Sequence, residues 1–385
     1  MAKTYQHLGG FSDLVAAANR SKKLFPLAEA GRATRNRLRR ALAFEPAPPQ
    51  PREIKIIKRW ERGGIAGELI TWSVGYGPRT EAWLLRPAGA KGRLPGVLAL
   101  HDAGGGKYFG KEKIAEGPGR PHPVARQAHA KSYGGRPFAI ALARRGFAVL
   151  AYDVFLWGSR KFALRDIPQR FRAAGRSQCE RSAAPDKPML IHVYNSIAGH
   201  HDSLVGRYCR LLGTSTAQVI HYEDRVAAAY LSSRRDVQPG KIGCVGLSGG
   251  GCRAVLLQGG CDAIGCAVVV GAMFTYESLL DHNLVHHPTS YITLQDWPSV
   301  GDWSDIAACR APSPLMVQNN CQDKLFTMAG MRAAHQRIAS QYRATGSPKN
   351  YAGHFYPGPH KFDLPMQEDA FQWLTEHLHA SSRPD

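Results

Sequence analysis

Five short, largely apolar runs limit most strongly what this chain can fold into. They occupy positions 96–100, 147–152, 241–245, 265–270 and 313–318. Runs of this length, bounded by turn residues, read as strands buried on both faces. Between and after them lie helix-like stretches at 138–145, 222–231, 331–342 and 367–379. Strands alternating with helices predict an α/β fold with a mostly parallel central sheet and helices on both faces. No run approaches the ~18 apolar residues of a membrane helix.

The ends and one internal stretch depart from this alternation. Residues 1–45 read as helical and stop at Pro46-Ala47-Pro48-Pro49-Gln50-Pro51, a linker that cannot continue a helix. Strand-like segments at 53–60, 67–74 and 80–86 follow, punctuated by Gly63-Gly64 and Tyr76-Gly77-Pro78, and predict a hairpin-rich start. Residues 155–215 are polar and Arg-rich, and too long for an ordinary connection. The expected organisation is an N-terminal helical arm and linker over 1–50, then the main α/β domain over 53–385. An insertion at about 155–215 would cap the carboxyl edge of the sheet.

The net charge is +20, from 50 basic and 30 acidic residues. That balance raises nucleic acid as a partner. However, the basic residues are dispersed, and a continuous basic helix interleaved with aromatic platforms, of the kind single strands stack upon, would be a sharper signal than their densest stretch, residues 20–40. A solvated basic surface is the simpler reading, and no nucleic acid or membrane partner is expected. The insertion carries Arg160, Arg165, Arg170, Arg172, Arg176 and Arg181, which as a cap would set a positive field at the site entrance. The eight cysteines form no CxxC pair, so zinc-ribbon and thioredoxin readings lose their signature. The N-terminus shows no apolar signal core, and a cytoplasmic location is the expectation.

The sharpest chemical motif is Gly246-Leu247-Ser248-Gly249-Gly250, a match to G-x-S-x-G. Such a pattern arises by chance roughly one time in five in a chain of this length and glycine content. Its setting, after an apolar strand and before a helix, is the one a nucleophilic serine needs. The similar stretch Gly213-Thr214-Ser215-Thr216-Ala217 follows a helical pattern and is discounted. A serine hydroxyl needs a base, and the base needs an orienting carboxylate. Asp323 follows the fifth apolar run, and His360 sits in a Pro/Gly-rich loop before the last helix. Asp296, Asp302 and Asp305 compete for the acid but precede the fifth run; His354 competes for the base from a strand-like stretch. The oxyanion donors would be backbone N–H groups of Gly249 and of Ala103 or Gly104 in the loop His101-Asp102-Ala103-Gly104-Gly105-Gly106. His282 with His286, and His200-His201-Asp202, lack the partners of a metal site.

Taken together, residues 100–114, the turn at 246–251, Asp323 and Gly358-Pro359-His360 resemble the α/β-hydrolase superfamily. They are most similar to its acetyl xylan esterase-like and dienelactone hydrolase-like branch, over roughly residues 53–380. The resemblance implies an α/β-hydrolase fold with Ser248 as nucleophile, Asp323 as acid and His360 as base. It further implies a small-molecule or saccharide ester as substrate, no cofactor and no metal; a homo-oligomer is compatible with it. Two departures stand out. The usual His-Gly after the first core strand is His101-Asp102 here, and dienelactone hydrolases use cysteine where this chain has Ser248. A C–C bond hydrolase, a serine peptidase and a non-catalytic basic protein are the rival readings.

Overall fold

A computed structural model describes residues 4–5, 7–45, 47–104, 106–181, 189–283 and 292–379. Two helices open the chain, α1 (Asp13–Lys22) and α2 (Arg32–Ala41). A hairpin-rich stretch follows: β1 (Arg52–Arg62), β2 (Ile65–Ser73), β3 (Thr80–Pro87) and β4 (Leu94–Leu100). Then come α3 (Pro123–Ser132), α4 (Phe138–Arg144) and β5 (Ala148–Tyr152). Three helices carry the chain onward: α5 (Gln169–Arg181), α6 (Met189–Leu211) and α7 (Thr216–Ser233). The rest runs β6 (Val237–Leu247), α8 (Gly249–Gly260), β7 (Cys266–Val270), a single turn α9 (Tyr276–Ser278), α10 (Trp303–Ala308), β8 (Leu315–Asn320), α11 (Met328–Ala344), β9 (Tyr351–Tyr356) and α12 (Leu364–Leu378).

The nine strands form one sheet in the order β1-β2-β3-β5-β4-β6-β7-β8-β9. The first three pairings are antiparallel. Every pairing from β5 to β9 is parallel. The alternation inside the apolar runs divides the core. Val97, Ala99, Val245, Val268 and Val270 face α4 and α12, while Leu98, Leu100, Cys244, Ala267 and Val269 face α2, α7, α8 and α10. This is the two-residue period of a strand, here with both faces apolar because both are covered.

One reading needs refinement. Residues 1–45 are not one helical arm, since 23–31 run between the two helices without helical structure. They lie against the last third of the chain. Phe25 N–H donates to Pro298 O (2.7 Å), Ala28 N–H to Asp305 Oδ2 (3.1 Å), Ala30 N–H to Gln341 Oε1 (2.8 Å) and Gly31 N–H to Cys309 O (2.9 Å). The stretch around His354 is the edge strand β9. The segment 155–215 holds the packed helices α5 and α6. Ser215, in the discounted serine motif, caps α7 by accepting from Gln218 N–H.

The acids that preceded the fifth run have structural work. Asp302 and Asp305 form the capping box of α10, and Arg337 pairs with Asp305 at 2.6 Å. Burial, only partly opposed by the N–H groups of Tyr276 and Trp303 and by Arg337, raises the Asp302 carboxyl to about 6. A folded value above the ordinary 3.8 means that protonation of Asp302 favours the native state. Its contribution is complete below about pH 4 and is lost as pH rises through about 6. Asp302→Asn keeps the capping oxygen and cannot ionise. Relative to wild type it is expected to gain up to about 3 kcal/mol between pH 4 and pH 7.5, at 1.36 kcal/mol per unit. Urea unfolding at the two pH values measures this, and an asparagine variant that loses ground at pH 7.5 would contradict it.

Candidate active site

The strands β6, β8 and β9 deliver the three predicted residues to one edge of the sheet. At the end of β6 the chain reverses into α8 through Ser248, which stands at φ +58°, ψ −119°. A non-glycine residue there is strained. The strain persists because the turn is held on both sides: Ser248 N–H donates to Val270 O (2.9 Å) and Ser248 O accepts from Cys252 N–H (2.8 Å). The flanking glycines are required by space. A Cβ on Gly246 would sit 2.6 Å from Gly250 C, and one on Gly250 would sit 2.3 Å from Leu100 O. Behind the turn, Arg253 of α8 pairs with Asp224 of α7 at 2.7 Å, both fully buried, which fixes α8 against the sheet.

Asp323 lies in the turn after β8 with its side chain buried. Its Oδ1 accepts from Leu325 N–H (2.8 Å), and its Oδ2 lies 2.6 Å from His360 Nδ1. An ionised carboxylate only accepts, so Nδ1 carries the proton and Nε2 is left with a lone pair. That Nε2 is buried with no partner among the described residues. His360 and Ser248 both line a cavity of about 920 Å³, together with Asp102, Gly104 and Lys113 and, from the α5–α6 segment, Gln178, His192, Asn195 and His200. The rivals fall elsewhere: Asp296 and His354 are exposed, and neither lines this cavity.

The donor loop is more elaborate than the sequence suggested. Of the two candidate positions, Gly104 lines the cavity, whereas Ala103 packs against the core. Asp102, standing where the family resemblance calls for glycine, is buried and satisfied: Tyr133 O–H donates to Oδ2 at 2.5 Å, and Lys113 Nζ lies 3.8 Å from Oδ1. Lys113 is itself buried and donates to the carbonyls of Asp102 (3.0 Å) and Gly104 (2.7 Å). Burial lowers its pKa, against the pull of the Asp102 carboxylate. Sequence reasoning missed this pair, although the unusual His-Asp was a signal that a compensating cation had to exist.

The remaining candidates do not converge. His200 Nε2 bonds to Gln178 (2.8 Å), His201 is wedged between Phe162 and Phe171, and Asp202 pairs with Lys107. His286 lies outside the described residues. Among the described residues no group of three or more His, Cys, Asp or Glu could hold a metal, and no helix is long and apolar enough to cross a membrane. Arg160 does not contribute to a positive entrance. It is buried and paired with Glu223 of α7, because its guanidinium also finds the carbonyls of Tyr76 and Pro78. None of the six insertion arginines lines the cavity.

No protein-family profile matches the chain. Among curated proteins, the candidate hydrolase YtaP of Bacillus subtilis (strain 168) is 23% identical over 317 residues, spanning 80% of this chain and 88% of that one. Among solved structures, a candidate acetyl xylan esterase of Bacteroides fragilis NCTC 9343 superposes with a TM-score of 0.64 at 16% identity, over 91% of this chain and 82% of that one. A glucuronoyl esterase from Solibacter usitatus gives a TM-score of 0.61 at 14% identity, over 91% and 94%. These likenesses establish the architecture: the chain has the α/β-hydrolase fold.

Proposed function

We propose that the protein is a serine hydrolase that cleaves a carboxylic ester, an acyl or sugar ester, through an acyl-enzyme. The observation that carries this reading is the pair of the buried Asp323 carboxylate with the half-buried His360, which leaves Nε2 without a partner among the described residues, in the cavity that Ser248 also lines. Ser248 Oγ attacks the acyl carbon as His360 Nε2 takes its proton. Asp323 holds the ring and stabilises the imidazolium. Backbone N–H groups of Gly249 and of the loop at Ala103 or Gly104 hold the oxyanion. His360 then protonates the departing alcohol, and a water deprotonated by His360 releases the acid.

Labelling with a fluorophosphonate, followed by mass spectrometry and a panel of acetyl, longer acyl and sugar-uronate esters, tests the reading. The expected result is a single adduct on Ser248 and turnover of at least one ester class. A wild-type chain that is neither labelled nor active would overturn it.

Lys113 supports this chemistry from beneath the loop. Lys113→Met removes both carbonyl contacts and strands the Asp102 charge, a loss that costs about 3–5 kcal/mol when a buried pair is broken. The variant is expected to melt earlier and to lose at least tenfold in kcat, since small displacements of aligned groups are expensive. Thermal melts with steady-state kinetics check this. An unchanged kcat would mean that the loop is set without Lys113.

A further inference from the structure

The loop after β4 is gripped from above as well as from below. Tyr108 N–H donates to Asn195 Oδ1 of α6 at 2.8 Å. Gly106 stands at φ +100°, and a Cβ there would lie 2.1 Å from Asn195 Cγ, so the loop backbone rests directly on the Asn195 side chain. Only glycine allows that approach. Two turns further along α6, Asp202 pairs with the nearly buried Lys107. A spacing of seven places Asn195 and Asp202 on one helix face. Tyr194, beside Asn195, meets the Tyr108 ring edge-on at 5.5 Å. Three successive loop residues, Gly106, Lys107 and Tyr108, are thus held by the inserted helix, while Lys113 holds the carbonyls of Asp102 and Gly104.

We propose that α6 sets the position of the oxyanion loop, with Asn195 as the positioning residue that couples the two. The inference rests on the ester-hydrolase reading and goes beyond it: the inserted segment is part of the catalytic geometry and not only a wall. Oxyanion donors act within a narrow range of about 2.7–3.1 Å from the developing charge. A loop freed from Asn195 and Asp202 leaves that range while the Ser248 turn, held by β6 and β7, stays in place. Since Asn195 also lines the cavity, a substrate group seated against α6 presses on the helix that holds the donors.

The test uses the full chain with two substrates, 4-nitrophenyl acetate and a bulky sugar ester. Asn195→Ala is expected to lower kcat about tenfold or more on both, with KM within about twofold and the melting temperature little changed. Asn195→Asp keeps an acceptor for Tyr108 N–H and is expected to restore most of kcat. Lys107→Met, which releases the second grip, is expected to show the same kcat-only loss and serves if Asn195→Ala does not fold. A loss confined to the bulky ester, or to KM, would make Asn195 a substrate contact and overturn the proposal, as would an unchanged kcat in an active protein. A wild-type chain without esterase activity or Ser248 labelling would remove the functional reading and this inference with it. An active wild type with an unaffected Asn195→Ala would remove this inference alone.

Discussion

Ser248→Gly is expected to give a protein that is inactive and yet more stable than the wild type. At φ +58° the serine backbone carries strain of about 1–3 kcal/mol, which glycine does not. Against this stands the larger entropy that glycine loses on folding, about 0.5–1 kcal/mol. The balance favours the variant by up to about 2 kcal/mol, read as a higher urea midpoint. Ser248→Ala keeps the Cβ and therefore the strain, so it is expected to show no such gain. Both variants are expected to lose turnover by a factor on the order of 10⁶, as when a nucleophile is removed from a unit that works together, and to lose fluorophosphonate labelling. Retained labelling in Ser248→Ala would dismiss Ser248 as nucleophile. A glycine variant less stable than the alanine one would dismiss the strain.

Asp323→Asn tests the second half of the site. An amide can donate to His360 Nδ1, which places the ring proton on Nε2 and leaves nothing to accept the serine proton. The expected loss in kcat is about 10⁴-fold with the fold intact, the size of effect a wrong tautomer produces. His360→Ala is expected to be nearly inactive, and His354→Ala, on the exposed face of β9, close to wild type. Steady-state kinetics on one ester settles the order of the three. A dead His354→Ala beside an active His360→Ala would reverse the assignment.

The elements around Ser248, Asp323 and His360 were legible because each depends on local pattern. A buried strand announces itself as an apolar run, and a tight turn announces itself by glycine. The loop chemistry was not legible, because it depends on partners set by topology. Asp102 is an anomaly in sequence that only its partners in the fold, Tyr133 and Lys113, account for. Arg160 looked like surface charge because its partner, Glu223, is 63 residues further along the chain. The segment 23–31 falls inside a stretch that reads as helical, but its N–H groups find acceptors at Pro298, Asp305 and Gln341. In each case a long-range contact overrode the local preference.

That same segment bears on how the chain reaches its final state. Ala28 and Asp305 are 277 positions apart, and Ala30 and Gln341 are 311 apart. On the ribosome, where synthesis runs at about 5–20 residues per second, the first thirty residues emerge long before the groups they bind. Their donors must be satisfied by water until α10 and α11 are made. Closure of such distant contacts is slow, because the entropy of the intervening chain is spent before the contact repays it. The segment 23–31 is thus a latch that can close only once α10 and α11 have been made.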